Sequence, residues 1–430
     1  MNKGSLLKIA QISTLDNVGG AARIAWNLHN AYRRNGHESR MLVGHKTTDD
    51  PDVLTIPNSG YDTYWTRLNR WKDLRTGVED FNFPGTSRVM DLLPWRPDIL
   101  QCHNLHGGYF DLRTLSVISR KVPVVLTLHD AWLLSGHCAH SFGCDRWKTG
   151  CGQCPDLTIP PALAKDTTAA NWKRKRKIFE KSRFYLATPS QWLMDKVDHS
   201  MIKASVIEGK VIHNGSDLNE FHPFDRTKAR IELGLPLSAK ILVFAANGIR
   251  ESVWKDYKTM RDTVVKLVKT HYEQDLLFLG VGEDGPPEKI GKSEIRFIPH
   301  QTSSRLARYY QAADIYLHAA RTETFPNTVI EALACGTPVV ATAVGGIAEQ
   351  ITGLRGDFRS QEKVTGILVP PGDSSAMAEA SETLLSNEGL RARLAQNAGQ
   401  DAAARFDLNR QTNEYLNWFG EILAKGRHFS

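Results

Sequence analysis

The sequence predicts an α/β protein of two domains, each built around a parallel β-sheet. A chain of 430 residues is long for one domain, and its hydrophobic content of 41% is ordinary for a globular protein. Residues 8–13 form a short apolar run, which is followed by Gly19-Gly20 and by a helical pattern over residues 21–34. A strand, a glycine turn and a helix make one half of a nucleotide-binding unit. An apolar run starts the pattern again at residues 241–247, so we expect a second Rossmann-like domain there.

Two further predicted strands in the first half, residues 97–103 and 124–128, end in polar side chains. His103 and His106 belong to the end of the first strand and its loop, and His129 and Asp130 follow the second. In open parallel sheets, ligands bind outside the carboxyl ends of the strands. These four side chains are therefore candidates for a binding pocket. For His103 and His106, shaping the pocket or capping the strand explains the pattern as well as a direct role does.

The positive charge of the chain lies in its first half. Residues 1–220 hold 29 Lys and Arg against 22 Asp and Glu, whereas residues 221–430 hold 25 of each kind. Nucleic acid, an anionic membrane surface and a pyrophosphate-linked acceptor are the partners that such a half could bind. We find no nucleic-acid-binding motif, so nucleic acid is not expected. The basic run at residues 171–183 could hold the protein at an anionic membrane surface, or it could be a solvated helix face.

The sequence predicts a cytoplasmic protein, which could be peripheral at the inner face of the cell membrane. No apolar run approaches the roughly 20 residues that a membrane-spanning helix needs. The first residues lead directly into a strand pattern, without the apolar region and cleavage site of a signal peptide.

Four of the six cysteines fall within a short segment at residues 137–154, namely Cys138, Cys144, Cys151 and Cys154. In a cytoplasmic protein such a cluster binds metal or is catalytic more often than it forms disulfides. Cys151 and Cys154 have the spacing of zinc ligands, whereas Cys138 and Cys144 are further apart in the sequence than is typical. A structural zinc ion and reduced thiols packed in a loop both remain open.

The most informative stretch is E-T-F-P-N-T-V-I-E, residues 323–331, followed by A-L-A-C-G-T-P-V-V-A-T. Pro326 suits the first turn of a helix, so we place Glu331 within a short helix and Glu323 in the loop before it. A helix start presents free N–H groups and a positive dipole end, which suit phosphate, and carboxylates accept hydrogen bonds from sugar hydroxyls. The combination predicts a nucleotide-sugar site. Two solvated glutamates are the alternative, which the apolar run around Glu331 disfavours.

These motifs carry a family resemblance that covers nearly the whole chain. E-x7-E followed by E-A-L-A-C-G-T-P-V-V-A-T-x-V-G-G resembles the signature of the family 4 glycosyltransferases. These are retaining enzymes of the GT-B fold, in which two Rossmann-like domains with parallel sheets face each other across a cleft. The resemblance implies a hexosyltransferase that uses a nucleotide diphosphate sugar and requires no cofactor or divalent metal for catalysis.

The resemblance also implies roles for individual residues. The catalytic set is His129, Arg250, Lys255 and Glu323. The donor-binding set is Gly19, Gly20, Arg250, Lys255, Glu323, Phe325, Asn327 and Glu331. In this assignment Arg250 and Lys255 grip the pyrophosphate, Glu331 holds the ribose hydroxyls, Glu323 holds the transferred sugar, and His129 lies against that sugar.

The cysteine-rich insertion after H-D-A-W resembles a branch of the family that builds bacterial surface polysaccharides. That branch implies a saccharide or polyprenyl-pyrophosphate-linked acceptor and a role in exopolysaccharide or lipopolysaccharide synthesis. We expect an acceptor-side domain at residues 1–214, a nucleotide-sugar-binding domain at 215–408, and a helix at 409–430 that returns to the first domain.

Two alternatives remain. A nucleotide-sugar epimerase of the same fold would act on the donor alone. A non-catalytic, sugar-binding partner subunit would be expected to lose the two glutamates or the Arg-Lys pair, and this chain keeps all four.

Overall fold

The computed structural model describes residues 6–57, 71, 75–79, 81–270, 275–353 and 363–426. By its internal contacts the chain separates into two units. The first is Met1–Ile212 together with Thr412–Ser430, and the second is His213–Gln411. The domain boundaries expected from the sequence, after residues 214 and 408, lie close to these divisions.

The first unit contains a seven-stranded sheet in the order β3-β2-β1-β4-β5-β6-β7, in which all neighbouring strands are parallel. Its strands are β1 (Lys8–Leu15), β2 (Glu38–His45), β3 (Val53–Thr55), β4 (Ile99–Cys102), β5 (Val124–Thr127), β6 (Phe184–Thr188) and β7 (Val206–Val211). The helices whose bounds the structure describes in this unit are α1 (Gly20–Arg34), α2 (Leu115–Ile118), α3 (Thr168–Phe179) and α4 (Gln191–Asp198). Strands β4, β5 and β6 are buried along their whole length, which explains their unbroken runs of mainly apolar residues.

The second unit repeats the plan with the strand order β10-β11-β9-β8-β12-β13-β14. Its strands are β8 (Lys240–Ala245), β9 (Leu276–Val281), β10 (Glu288–Ile290), β11 (Ser293–Ile298), β12 (Ile315–His318), β13 (Val339–Thr342) and β14 (Gly366–Val369). Only the edge strand β10 runs antiparallel to its neighbour among the strand pairs that the structure describes. The helices are α5 (Arg226–Leu233), α6 (Tyr257–Thr270), α7 (Ser303–Ala312), α8 (Asn327–Ala334), α9 (Ile347–Gln350), α10 (Ser374–Ser386) and α11 (Glu388–Arg405).

The last helix, α12 (Leu408–Gly426), completes the core of the first unit. Tyr415, Trp418 and Phe419 are buried in one cluster with residues of β1, β4, β5, β6 and α1. The Trp418 indole N–H also donates to Glu208 at 2.8 Å. Helix α12 therefore packs against the first sheet and forms part of its core.

The basic run at residues 171–183 is only partly a solvated helix. Helix α3 ends at Phe179, and the chain turns to begin β6 at Phe184. Lys175 is fully buried, because its ammonium pairs with Glu79 at 3.1 Å and lies over the Trp132 ring at 3.6 Å. One cation of the run therefore belongs to the core. In the part of the chain that the structure describes, no helix is long and apolar enough to cross a bilayer.

Candidate active site

Two loops at the carboxyl edge of the second sheet are joined by backbone pairing. Lys255, in the loop after β8, forms an isolated antiparallel bridge with Ala320, in the loop after β12. Two backbone hydrogen bonds flank the bridge: Asp256 N–H to the Ala319 carbonyl (3.1 Å) and Arg321 N–H to the Trp254 carbonyl (2.9 Å). The pairing brings the Lys255 ammonium into contact with the Glu323 carboxylate. Both side chains are mostly buried, at 14% and 16% exposure, so water screens the ion pair poorly.

A third loop, between β13 and α9, fixes the backbone of Glu323. The N–H of Gly346 donates to the Glu323 carbonyl at 3.2 Å. Gly345 has a φ of +53°, and a Cβ at this position would stand 1.8 Å from the same carbonyl oxygen. Only glycine fits such a close approach. The loops after three neighbouring strands therefore hold Glu323 in place.

Glu331 lies in α8 and Glu323 in the preceding loop, which confirms the placement predicted from the sequence. The hydroxyl of Tyr310 donates to Glu331 Oε2 at 3.2 Å. Burial, with Glu331 nearby, raises the pKa of Tyr310 well above its ordinary value, so the hydroxyl keeps its proton. Tyr310 thus orients the carboxylate that the resemblance assigns to the ribose hydroxyls.

Phe325 and Asn327 are held by the start of the second unit. The His213 ring stacks on Phe325 with centroids 5.0 Å apart and planes within 6°. The Asn214 amide donates to the Phe325 carbonyl (3.3 Å) and to Asn327 Oδ1 (3.2 Å). Phe325 is buried in the core of the second unit, and its assignment to donor binding stays a prediction.

His318 is a site residue that the sequence analysis missed. It is fully buried at the end of β12, with Nε2 3.9 Å from Glu323 and Nδ1 3.0 Å from the Tyr316 hydroxyl. Burial and the nearby Lys255 lower its pKa well below the usual value, so His318 is neutral. The signal in the sequence that could have identified His318 is its position as a polar residue at the end of an otherwise apolar strand.

Arg250 is engaged by acidic groups of its own unit. Its guanidinium forms an ion pair with Glu283 and donates to the Asp284 carbonyl at 3.0 Å. The backbone N–H groups of Ile249 and Arg250 also donate to the Glu283 carboxylate. For Arg250 to grip a pyrophosphate, it would have to exchange Glu283 for phosphate oxygens. Its assignment stays a prediction.

In the first unit, Gly19 and Gly20 form the start of α1. Gly19 has a φ of +94°, and a Cβ at either glycine would meet no atom within 4 Å. The preceding loop is anchored by Asp16, whose carboxylate accepts hydrogen bonds from both N–H and hydroxyl groups of Thr47 and Thr48. These bonds outweigh the effect of burial and lower the pKa of Asp16. The glycine turn is thus rigidly held with open space above it.

His106 and Asp130 form a hydrogen-bonded pair at the carboxyl edge of the first sheet, with His106 Nε2 2.7 Å from Asp130 Oδ2. The Trp132 N–H donates to the other carboxylate oxygen at 2.9 Å. Burial works to raise the pKa of Asp130, but His106 and this N–H hold it at about 2. Burial likewise works to lower the pKa of His106, and Asp130 more than offsets this, so the pKa is raised.

His103 and His129 belong to the same edge and have the opposite electrostatic character. His103 is fully buried, and its Nδ1 lies 2.9 Å from His129 Nε2. Burial lowers the pKa of His129 to about 4, against an opposing effect of Asp130. Burial, with His129 nearby, lowers the pKa of His103 well below its usual value. Both imidazoles are therefore neutral at physiological pH.

The cysteine segment contains thiol and imidazole groups that could bind zinc, but they do not come together at one point in the part of the chain that the structure describes. His137 Nε2 lies 3.3 Å from Cys154 Sγ, and the Gly136 N–H donates to Cys151 Sγ at 3.3 Å. Among the described residues, no three His, Cys, Asp or Glu side chains come together closely enough to hold a metal ion. Zinc would therefore require the thiols to move, and the zinc site stays a prediction.

Each of the two units matches the model of a protein family. Residues 18–220 match the model described as Glycosyltransferase Family 4, and residues 225–401 match the model described as Glycosyl transferases group 1. The chain therefore belongs to the glycosyltransferases, with a Family 4 domain followed by a group 1 domain.

Within this class, the chain is similar to enzymes named D-inositol 3-phosphate glycosyltransferase. It is 31% identical to the one from Salinispora arenicola (strain CNS-205) over 251 residues, which cover 54% of this chain and 52% of the relative. It is 30% identical to the one from Mycobacterium leprae (strain TN) over 241 residues, covering 53% and 54%. The chain thus spans about half the length of the curated relatives that it matches.

Solved structures share the fold over almost the whole chain. Sucrose-phosphate synthase from Thermosynechococcus elongatus superposes with a TM-score of 0.67 at 19% identity, covering 97% of this chain and 99% of the other. Alr3699/HepE from Anabaena in complex with UDP and glucose gives 0.66 at 18%, covering 96% and 99%. WaaG, a glycosyltransferase involved in lipopolysaccharide biosynthesis, gives 0.65 at 17%, with the same coverage. At these identities the likeness shows the fold, two parallel-sheet α/β domains, as predicted.

Gly345→Ala should displace the Glu323 loop. Alanine at a positive φ costs about 1 kcal/mol by itself, and here the Cβ also meets the Glu323 carbonyl. We expect a loss of about 3 kcal/mol in the free energy of unfolding. Gly372→Ala is the matched control, because Gly372 has a φ of +75° and a Cβ there meets nothing within 4 Å. Equal losses in the two variants, measured by chemical denaturation, would contradict the proposed close approach.

The zinc hypothesis predicts one equivalent of zinc per chain in metal analysis of the purified protein. Burial raises the pKa of Cys151 to about 11 and also raises the pKa of Cys138, so metal binding should release protons. Cys144→Ser combined with Cys154→Ser should lose the zinc, whereas Cys335→Ala, outside the segment, should keep it. A protein without zinc, whose melting temperature is unchanged by chelator, rejects the hypothesis.

Proposed function

We propose that this protein is a retaining glycosyltransferase that moves a hexosyl group from a nucleotide diphosphate sugar to a saccharide acceptor. One observation carries the proposal: the Lys255–Glu323 ion pair, held at the carboxyl edge of the second sheet by three loops. Ligands of parallel α/β domains bind at this edge. A cation suits the diphosphate, and a carboxylate suits the hydroxyls of the sugar.

In this proposal, each residue acts on one part of the donor. Lys255 and Arg250 neutralise the diphosphate and stabilise it as it leaves. Glu323 accepts hydrogen bonds from the transferred sugar, and Glu331, oriented by Tyr310, accepts them from the ribose. For His129, the family resemblance implies a contact with the transferred sugar. The family resemblance further implies that the acceptor attacks the same face of the sugar that the diphosphate leaves, with the leaving phosphate helping to take the acceptor proton.

For the acceptor, we propose a saccharide or polyprenyl-pyrophosphate-linked saccharide in surface polysaccharide synthesis. The cysteine-rich insertion supports this, as does the fold shared with WaaG, which acts in lipopolysaccharide biosynthesis. The similar enzymes named D-inositol 3-phosphate glycosyltransferase suggest D-inositol 3-phosphate instead, so this compound belongs in the acceptor panel. Incubation of the nucleotide sugar without acceptor separates the proposal from the epimerase alternative, because only an epimerase produces an epimeric nucleotide sugar from the donor alone.

Lys255→Met and Glu323→Gln should each lower kcat/KM by about 10²-fold, because each removes a group that interacts with developing charge or with the reacting sugar. A thermal-shift screen with UDP, GDP, ADP and their sugars first selects the donor, and a transfer assay then measures the rates. Lys258→Met is the matched control, since Lys258 is 86% exposed and pairs with Asp262 on α6. Full activity of both site variants would refute the site assignment.

We propose that the exposed cations of α3 hold the protein at an anionic membrane surface. Lys173, Arg176 and Lys177 are exposed, whereas Lys175 is buried. Each basic residue near an anionic surface contributes about 1 kcal/mol, so changing these three to Gln should abolish flotation with anionic liposomes. Neutral liposomes are the control. Flotation that is independent of anionic lipid, or unchanged in the triple variant, removes this part of the proposal.

A further inference from the structure

A chain of hydrogen bonds links the first helix to His129 through Gln11 and His103. Gln11 is fully buried on β1, and its side-chain amide lies 2.9 Å from His103 Nε2. The same amide lies 3.2 Å from the Ala25 carbonyl oxygen and 3.1 Å from the His29 backbone nitrogen, both in α1. The other ring nitrogen of His103 lies 2.9 Å from His129 Nε2.

The two backbone groups of α1 fix the orientation of the Gln11 amide. A carbonyl oxygen can only accept a hydrogen bond, and a backbone N–H can only donate one. The amide nitrogen of Gln11 must therefore face the Ala25 carbonyl, and the amide oxygen must face the His29 N–H. With this orientation, the group that faces His103 Nε2 is the amide nitrogen, which is a donor.

The orientation of Gln11 in turn fixes the tautomer of His103. A neutral imidazole carries one proton, so a ring that accepts at Nε2 must carry it at Nδ1. His103 is neutral, and its Nδ1 points at His129. The two ring centroids are 5.2 Å apart with planes within 18°, which fits two imidazoles that meet edge to edge along an N–H···N bond.

His129 therefore accepts at Nε2 and carries its own proton at Nδ1. His129 cannot also be protonated at Nε2 while these hydrogen bonds are formed, because His103 would then have no proton on either nitrogen. His129 is thus a neutral hydrogen-bond donor at Nδ1 and is not a base. Any group that binds Nδ1 must offer an acceptor atom, such as a sugar hydroxyl oxygen.

We propose that Gln11 and His103 are positioning residues that fix His129 as a neutral Nδ1–H donor toward the transferred sugar. The inference about His129 and the sugar rests on the proposed function; the inference about the tautomer does not. Peptide groups of α1 determine which partner donates in each of these hydrogen bonds. No residue that touches substrate is needed to determine this.

Gln11→Met removes the donor to His103 with little change in volume. The two helix groups that face Gln11 are four residues apart in α1, so they are each other's regular helical partners and stay paired. Gln101→Met is the matched control. Gln101 lies next to Gln11 in register on β4 and is fully buried, but it bonds to Thr127 and Tyr32.

The first readout is the tautomer of His129, measured by ¹⁵N NMR of protein labelled at histidine, with the signal assigned by its loss in a His129 variant. We expect the Nδ1–H form alone in the wild type and in Gln101→Met, and a mixture of tautomers in Gln11→Met. A wild-type His129 in the Nε2–H form would overturn the proposal, whether or not the protein transfers sugar.

The second readout is kcat of the transfer reaction. Gln11→Met and His103→Leu should lower kcat about tenfold to a hundredfold, whereas Gln101→Met should leave it unchanged. His103→Asn should restore most of the activity lost in His103→Leu, because the Asn amide can donate from the position of Nδ1. A Gln11→Met enzyme with wild-type kcat, or a His103→Asn enzyme no better than His103→Leu, would overturn the positioning role. If no acceptor is found, the tautomer experiment still decides the first part.

Discussion

The architecture of the candidate site depends on the pairing of the loops that follow β8 and β12. Neighbouring parallel strands deliver their loops to the same edge of the sheet, and here the loops continue the pairing as a short antiparallel bridge at Lys255 and Ala320. Each backbone hydrogen bond is worth only about 1 kcal/mol net, but several of them together leave the two side chains little freedom. Lys255 and Glu323 are therefore arranged before any ligand arrives. A preorganised group loses less entropy on binding than a group that must be ordered.

Both cations assigned to the diphosphate are paired with carboxylates in this arrangement. Lys255 contacts Glu323, and Arg250 contacts Glu283. A mostly buried charge without a partner is expensive, so pairing is what allows Lys255 to be mostly buried at all. Under the proposed function, phosphate binding would exchange one anionic partner for another, and it would release Glu323 to accept hydrogen bonds from a sugar. Since the same contact links phosphate recognition to sugar recognition, a free nucleotide and a nucleotide sugar should engage this pair differently.

The sequence was sufficient to predict the strands and helices that build the site, because buried parallel strands give unbroken apolar runs with polar loops after them. Glu323 and Glu331 were placed correctly, in a loop and in the helix after it, since the proline and the following apolar face mark the start of α8. The partners were not predictable. His103 bonds to Gln11, which is 92 positions away, and neither side chain shows any periodicity that would pair them. Lys175 lies in a run of cations, and only the fold reveals that it is buried against Glu79 and Trp132.

Four histidines illustrate how far environment decides the chemistry of one residue type. His103, His129 and His318 are kept neutral by burial, whereas His106 gains a carboxylate partner that raises its pKa. The difference between His106 and His129 cannot come from depth alone, because both are of intermediate exposure and burial acts to lower the pKa of each. The difference comes from the hydrogen-bond partner of each ring. The Asp130 carboxylate can only accept a hydrogen bond from His106, and His103 can only donate one to His129. The direction of that second bond is inherited from the peptide groups of α1. The strand–turn–helix unit at the start of the chain thus does more than support the glycine turn, because its helix also defines which atom of His129 carries the proton.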